Sequence, residues 1–136
     1  MLISGVGAVL LLSPDAKALA EFYVSALGLP LVEEVHDEVP VHYACDLGSV
    51  HFAIHPADGW PGTPTLDSQS PVIALNTLDA GAVADSLRAA GIDASGPIDH
   101  GFACVVSFRD PDGNHIEVLE VTVAKPTDLE GEWDEP

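Results

Sequence analysis

The segment FRDPDGNHIEVLE, residues 108–120, combines the signals of a tight turn and of a strand. Asp110 can accept backbone N–H bonds, Pro111 fixes φ at the first turn position, and Gly113 tolerates a positive φ. The apolar run after the turn favours a strand, and it contains one acidic residue, Glu117. Taken alone, the turn indicates only a hairpin, so the rest of the chain decides which fold this hairpin belongs to.

Outward from this hairpin, the same order of elements occurs twice along the chain. Each half has a strand, a helix and three further strands, which together make a βαβββ module. The first half is predicted from VGAVLLL (6–12), SPDAKALAEFYVSALG (13–28), LVEEVH (31–36), VPVHYACDLG (39–48) and SVHFAIH (49–55). The second is predicted from a strand at 71–77, a helix at 78–91, a short strand near 92–94, and strands at 102–108 and 115–121. A shift of 64 residues superposes the halves, with Ala8 on Val72, His51 on His115 and Ala53 on Glu117.

Capping residues predict where the two helices begin and end. Ser13 is the expected N-cap of the first helix, Pro14 suits its first position, and Asp15 favours the positive N-terminal end. Gly28 ends this helix and Gly91 ends the second. The first helix has one apolar face that we expect to pack on the sheet, formed by Leu19, Phe22, Tyr23 and Leu27. The continuous apolar strand before it is expected to be buried on both faces.

The length and the spacing of the repeat predict one domain built from two modules. This domain is assigned to residues 1–125, with module one at about 5–56 and module two at about 71–122. The Pro, Gly and Ser content of residues 57–70 predicts a linker. Residues 126–136 are acidic, and we expect them to form a mobile tail.

The charge balance limits the possible partners. The chain has 22 acidic and 4 basic residues, for a net charge of −18. Four scattered cations cannot form a basic patch, so we expect neither nucleic acid nor an anionic membrane as a partner. The same charge attracts a cationic ligand, although acidity can also serve solubility alone.

Two further features indicate a cytoplasmic protein. Cys45 and Cys104 have apolar neighbours and do not make a disulfide framework, which favours buried thiols in a reducing compartment. The apolar start MLISGVGAVLLL has no cation before Lys17 and is too short to cross a bilayer, so we expect a strand there rather than a signal peptide.

Two βαβββ modules and an ending of the form FRDPDGNHIEVLE resemble the vicinal oxygen chelate superfamily. The stretch DAKALAEFYVSALGLPLVEE also resembles the first helix and following strand of that family, and the resemblance covers residues 5–121. Members include glyoxalase I, extradiol dioxygenases, methylmalonyl-CoA epimerases, fosfomycin-modifying enzymes and bleomycin-binding resistance proteins. The resemblance implies an α+β fold in which two tandem modules form a curled mixed β-sheet of half-barrels with helices outside. It also implies a homodimer.

The resemblance further implies where a metal would be bound. Metal-dependent members take ligands from the first and last strands of each unit, at positions that correspond here to Ala8, Ala53, Val72 and Glu117. Only Glu117 can ligate a metal, and catalytic divalent sites usually need three protein ligands. We therefore predict no cofactor and no metal at the usual place. An unorthodox site built from His51, His115 and Glu117 remains an alternative.

Because alternate side chains of a strand share a face, His51 and His55 should accompany Ala53, and His115 should accompany Glu117. Three roles stay open for Glu117: pairing with Arg109 or a histidine, accepting a ligand's positive charge or hydrogen bond, and general acid or base catalysis. Trp60 can stack on a planar ligand or anchor the linker. The predicted ligand-binding residues are His51, His55, Trp60, Asn76, His115 and Glu117.

Three functions follow from this reasoning. The first is metal-free binding of a small organic molecule, cationic and antibiotic-like, as in the bleomycin-resistance branch of the family. The second is an enzyme, namely a lyase, isomerase or dioxygenase of the same superfamily, for which Glu117 is the candidate catalytic residue. The third is a structural or regulatory subunit whose cleft is vestigial. Metal analysis of protein purified without chelators distinguishes the first from the second.

Overall fold

A computed structural model describes residues 2, 6, 8–36, 39–58, 72–101 and 103–122. The chain divides into two compact units, Met1–Leu66 and Asp67–Pro136. The first contains β1 (Ala8–Ser13), α1 (Ala16–Leu27), β2 (Val32–His36), β3 (Val39–Leu47) and β4 (Val50–Pro56). The second contains β5 (Ile73–Asn76), α2 (Ala80–Ala89), β6 (Ser95–Asp99), β7 (Ala103–Arg109) and β8 (His115–Val121). Trp60, most of the predicted linker and the predicted tail lie outside the described residues.

Each unit has a four-stranded mixed sheet and one helix, which confirms the predicted α+β fold with two βαβββ modules. The strand orders are β1-β4-β3-β2 and β5-β8-β7-β6. In each sheet the first strand runs parallel to the last one, and the other pairs are antiparallel. The repeat extends to the register, because Leu10 pairs with Ala53 while Ala74, 64 residues further on, pairs with Glu117.

The start of α1 differs from the prediction. Asp15 is the N-cap, and its side chain accepts a hydrogen bond from the Ala18 N–H at 3.1 Å. Ser13 is the last residue of β1, and its hydroxyl accepts from the Asp15 N–H. The prediction for Ser13 was wrong because β1 continues one residue further than expected, which leaves Pro14 in the turn before the helix. Gly28 ends the helix as predicted, with φ of 69°.

The apolar face of α1 packs on its own sheet and fixes the orientation of β4. Leu19 and Tyr23 are buried, whereas Phe22 and Leu27 are half-buried. The rings of Tyr23 and Phe52 meet edge to face with centroids 5.5 Å apart, so Phe52 points towards the helix. The alternate residues of β4 therefore point to the opposite face of the sheet.

The first strand is buried on one face only, which corrects the prediction of burial on both. Leu11 is buried, but the side chain of Leu10 is 45% exposed. Leu11 is paired with Ile54 and lies on the face that α1 covers, whereas Leu10 is paired with Ala53 and lies on the opposite face. A continuous apolar run does not show which face of the strand the helix covers.

The second strand of the second unit was predicted too early in the chain. The strand β6 spans Ser95–Asp99 rather than residues 92–94. It contains Gly96 and Pro97, whose types normally indicate a break in a strand. The position is tolerated because β6 is the edge strand of its sheet and its register with β7 shifts between Ser95 and Ile98, where Gly96 and Pro97 lie. Its neighbour β7 begins and ends one residue later than the predicted 102–108.

The DPDG turn has the geometry that the sequence predicts. Asp110 is 4% exposed, and its Oδ1 accepts from the N–H groups of Asp112 and Asn114 at 3.0 and 2.9 Å. Its Oδ2 accepts from the Asn114 side-chain amide at 2.8 Å. Gly113 has φ of 87°, a conformation that costs a glycine little. This turn sets the register in which β8 begins at His115 and places Glu117 opposite Ser107.

Neither of the two described helices is long and apolar enough to cross a membrane. Of the two cysteines, Cys45 is buried as predicted, whereas Cys104 is only half-buried.

Candidate functional site

In each unit, the face of the sheet turned away from the helix carries the sequence-predicted polar residues; we call it the helix-free face. On β4 this face contains His51, Ala53 and His55, because Phe52 points to α1. On β8 it contains His115 and Glu117. The orientation of β8 follows from Glu120, whose Oε1 accepts from the Ala80 N–H at the start of α2.

His51 lies at the exposed end of the helix-free face of the first unit. Its Nδ1 is 2.9 Å from Asp46 Oδ1 on the neighbouring strand, and the two side chains are 45% and 78% exposed. An exposed pair of this kind contributes little to stability. The histidine therefore already has a carboxylate partner.

His55 belongs to a polar cluster that the sequence did not predict, consisting of the buried His42 and the half-buried Glu34 and His55. The imidazole rings of His42 and His55 are stacked, with centroids 4.2 Å apart and planes 8° from parallel. His42 Nε2 is 3.2 Å from Glu34 Oε1, and its Nδ1 is 3.1 Å from the Pro40 carbonyl oxygen. The cross-strand register brings these residues together, since Glu34 pairs with His42.

The electrostatic environment of His55 favours its neutral form. Burial lowers the pKa of His55 below its ordinary value of 6.5, and the charges of His42 and His51 lower it further. Glu34 acts in the opposite direction and raises it. Since burial is the largest cause, the ring sits in an environment that disfavours an added proton.

Glu117 is half-buried on the helix-free face of the second unit. Its cross-strand neighbours are Ala74 on β5 and Ser107 on β7. Among the described residues, no other side chain forms a hydrogen bond or an ion pair with its carboxylate. The pairing with Arg109 that the sequence left open is not formed, because the Arg109 guanidinium donates to the Gly113 carbonyl at 2.9 Å.

The remaining predicted residues of this unit take different positions. Asn76 is the exposed last residue of β5 and pairs with Leu119. His115 is half-buried and lies opposite Arg109 in the backbone register of β7 and β8. It lines an open depression of about 460 Å³. The other residues that line this depression are Gly91, Ile92, Asp93, Ser107, Phe108 and Arg109. Neither Asn76 nor Glu117 is among them.

The positions that correspond to metal ligands in metal-dependent relatives carry aliphatic side chains in all but one case. Ala8 pairs with His51 in the sheet register, and Ala53 is fully buried beside Leu10. Within the part of the chain that the structure describes, no three or more His, Cys, Asp or Glu side chains are grouped so that they could hold a metal ion.

The two mixed sheets and the repeated register define a two-module α+β protein, and one of the four positions that correspond to metal ligands carries a carboxylate. The family model of the Glyoxalase/Bleomycin resistance protein/Dioxygenase superfamily matches residues 5–118. This chain therefore belongs to that superfamily, as its sequence resemblance implied. No curated protein matches the sequence at a significant level.

Solved structures of similar fold come from several sources. TnmS3, an antibiotic-binding protein from Streptomyces sp. CB03234, is 22% identical over 90% of this chain and 99% of its own, with a TM-score of 0.72. An integron cassette protein from the mobile metagenome of V. Pseudocholerae is 25% identical over 88% of this chain and 95% of its own, with a TM-score of 0.67. A glyoxalase/bleomycin resistance protein from Streptomyces sp. CB03234 is 21% identical over 83% of this chain and 98% of its own, with a TM-score of 0.64.

Proposed function

We propose that this protein binds a small, cationic, antibiotic-like organic molecule and does so without the metal that many relatives use. The observation that carries the proposal is the chemistry of four equivalent positions. Three of them are Ala8, Ala53 and Val72, which offer no donor atom, and the fourth is Glu117. A lone carboxylate supplies too few ligands for a catalytic divalent ion. The same carboxylate is well suited to receive one positive charge.

The surroundings of Glu117 support this role. Its cross-strand neighbours on both sides, Ala74 and Ser107, are small, so they add little bulk beside the carboxylate. Among the described residues no cationic side chain neutralises it. A charge-assisted hydrogen bond from a ligand ammonium is about twice as strong as a neutral one. The net charge of −18 adds long-range attraction for a cation.

The class of ligand is taken from the relatives. The family name includes bleomycin resistance proteins, and TnmS3 is described as an antibiotic-binding protein. His51, His55, Trp60, Asn76 and His115 are proposed as further ligand contacts. We also propose that the protein is a cytoplasmic homodimer, with Cys45 and Cys104 kept as free thiols.

The test is calorimetric titration of protein dialysed against EDTA with metal-free bleomycin and with two small aromatic ammonium compounds. We expect binding of at least one of these cations. Glu117→Gln keeps the shape of the side chain and removes its charge, so its affinity should fall about tenfold or more, as expected for a lost hydrogen bond to a charged group. Its thermal unfolding should match that of the parent.

Glu120→Gln is the matched control, because Glu120 lies on the same strand but points to the helix. It should retain the parent affinity and lose stability. If none of the three cations binds, or if Glu117→Gln binds as tightly as the parent, the proposed function is wrong.

A further inference from the structure

We propose that the depression beside His115 is a subsite for a carboxylate group of the ligand, with Arg109 as its main contact. The inference deepens the proposed function and rests on it for the other end of the ligand, whose positive charge meets Glu117. The ligand class is then a zwitterion, whose cationic and anionic groups are bound on one face of β7 and β8.

Three polar side chains of the helix-free face line the depression. Ser107, Arg109 and His115 share this face with Glu117, because they pair with it across the strands or alternate with it along them. The Arg109 guanidinium donates to the Gly113 carbonyl at 2.9 Å, a contact that holds it in place and uses only part of its N–H groups. Within the described part of the chain, no carboxylate forms an ion pair with Arg109, and the side chains of Ser107 and His115 have no hydrogen-bond partner.

These side chains offer the donors that a carboxylate accepts. An arginine keeps its charge, and its planar fork matches the two oxygens of a carboxylate. A serine hydroxyl donates as well, and even a neutral histidine ring carries one N–H. Asp93 is the acidic residue that lines the depression, but among the described residues it forms no ion pair with Arg109. The guanidinium charge is therefore available to a ligand.

Ser107 connects this subsite with Glu117. It lies opposite Glu117 in the register and also lines the depression, whereas Arg109 and His115 form the next row on the same face, two residues further along. Two residues of a strand span about 7 Å, so a ligand that reaches both rows needs its opposite charges about that far apart. A simple anion is repelled at long range by the net charge of −18, which favours a carboxylate that is attached to a cationic group.

The first experiment is calorimetric titration with 4-(aminomethyl)benzoate and with its methyl ester. The acid carries its ammonium and its carboxylate at opposite ends of a flat ring, and the ester keeps the ammonium but lacks the negative charge. The parent should bind the acid about tenfold or more tighter than the ester, as expected for hydrogen bonds between charged groups. Binding of the ester at equal or higher affinity would overturn the proposed subsite.

Two variants assign this preference to the depression. Arg109→Gln removes the guanidinium charge, so the acid and the ester should then bind with similar affinity. Lys17→Gln is the matched control, because it removes one positive charge from an exposed position on α1 and should retain the parent's preference for the acid. A preference that survives in Arg109→Gln, or that disappears equally in Lys17→Gln, would overturn the assignment to Arg109.

The second experiment separates the subsite from the contact at Glu117. In ¹⁵N-labelled protein, 4-methylbenzoate, which has no ammonium, should shift the backbone amide resonances of Ser107, Arg109 and His115, and Arg109→Gln should abolish these shifts. Shifts without binding of either ammonium compound would contradict the proposed function and leave the subsite standing. Binding of the ester without these shifts and without preference for the acid would overturn the subsite and leave the proposed function standing. No binding of any of the three compounds would contradict both.

Discussion

Replacing Asp110 with Ala should destabilise the protein more than any other change in the DPDG turn. The carboxylate accepts hydrogen bonds from the backbone N–H groups of Asp112 and Asn114 and from the Asn114 side-chain amide, at 2.8–3.0 Å. Hydrogen bonds to a charged group contribute about 1.5–3 kcal/mol each, and they are not fully additive. Because Asp110 is nearly fully buried, water can replace them only in part. The expected loss is about 3–5 kcal/mol, or a fall in Tm of roughly 12 °C or more.

The assay is urea unfolding followed by circular dichroism, with the slope m compared between the variants. Asp99→Ala is the matched control, since the exposed Asp99 accepts a single bond, from the Gly101 N–H at 2.7 Å. Its loss should stay at about 1 kcal/mol or less. A loss for Asp110→Ala that equals the loss for Asp99→Ala would refute the account of the turn as a buried, charge-assisted network.

Three further predictions concern other parts of the fold. Glu120→Gln should reduce the free energy of unfolding by about 0.5–1 kcal/mol, because the negative charge of Glu120 near the Ala80 N–H stabilises the positive N-terminus of α2. Equal urea midpoints for variant and parent would contradict this. The pKa of His55 is lower in the folded state than the ordinary 6.5, so the unfolded chain binds that proton first, and stability should fall as the pH drops below 6.5. A His55→Phe variant should lose that part of the pH dependence of stability. Urea midpoints at pH 7.5 and 6 would measure it. The same difference between the two midpoints in variant and parent would contradict the prediction. Gly96→Ala should lower the free energy of unfolding more than Gly101→Ala in the same assay, since an added Cβ collides with a carbonyl of β7 only at Gly96. Equal losses would show that the edge strand moves to accommodate the added methyl group.

Much of the fold could be predicted from local signals. The hairpin of β7 and β8 could be predicted from Asp110, Pro111 and Gly113, whose side chains and backbone preferences act within a few residues of the turn. The repeat made the topology predictable, because a strand and its counterpart 64 residues later occupy equivalent places. The same repeat predicted that Ala53 and Glu117 are equivalent, and the register of the two sheets agrees.

The errors arose where distant contacts override a local preference. Ser13 is a good N-cap by type, but strand pairing with β4 extends to it and passes the cap to Asp15. Gly96 and Pro97 look like a strand break, yet they are tolerated in an edge strand. The cluster of Glu34 and His42 with His55 was missed because it depends on the pairing of β2 with β3. Alternation along β3 was the available signal, as it puts His42 on the same face as Ala44.

The central claim is that the protein binds its ligand without a metal, and affinity before and after metal removal tests it most directly. Bleomycin should be titrated into protein purified without chelators, and then into the same preparation after dialysis against EDTA, with the metal content of both determined by mass spectrometry. The account predicts the same Kd in both titrations and no stoichiometric metal in either preparation. One tightly held Ni, Zn, Fe or Mn per chain, with binding that disappears on dialysis and returns when the metal is restored, would contradict it.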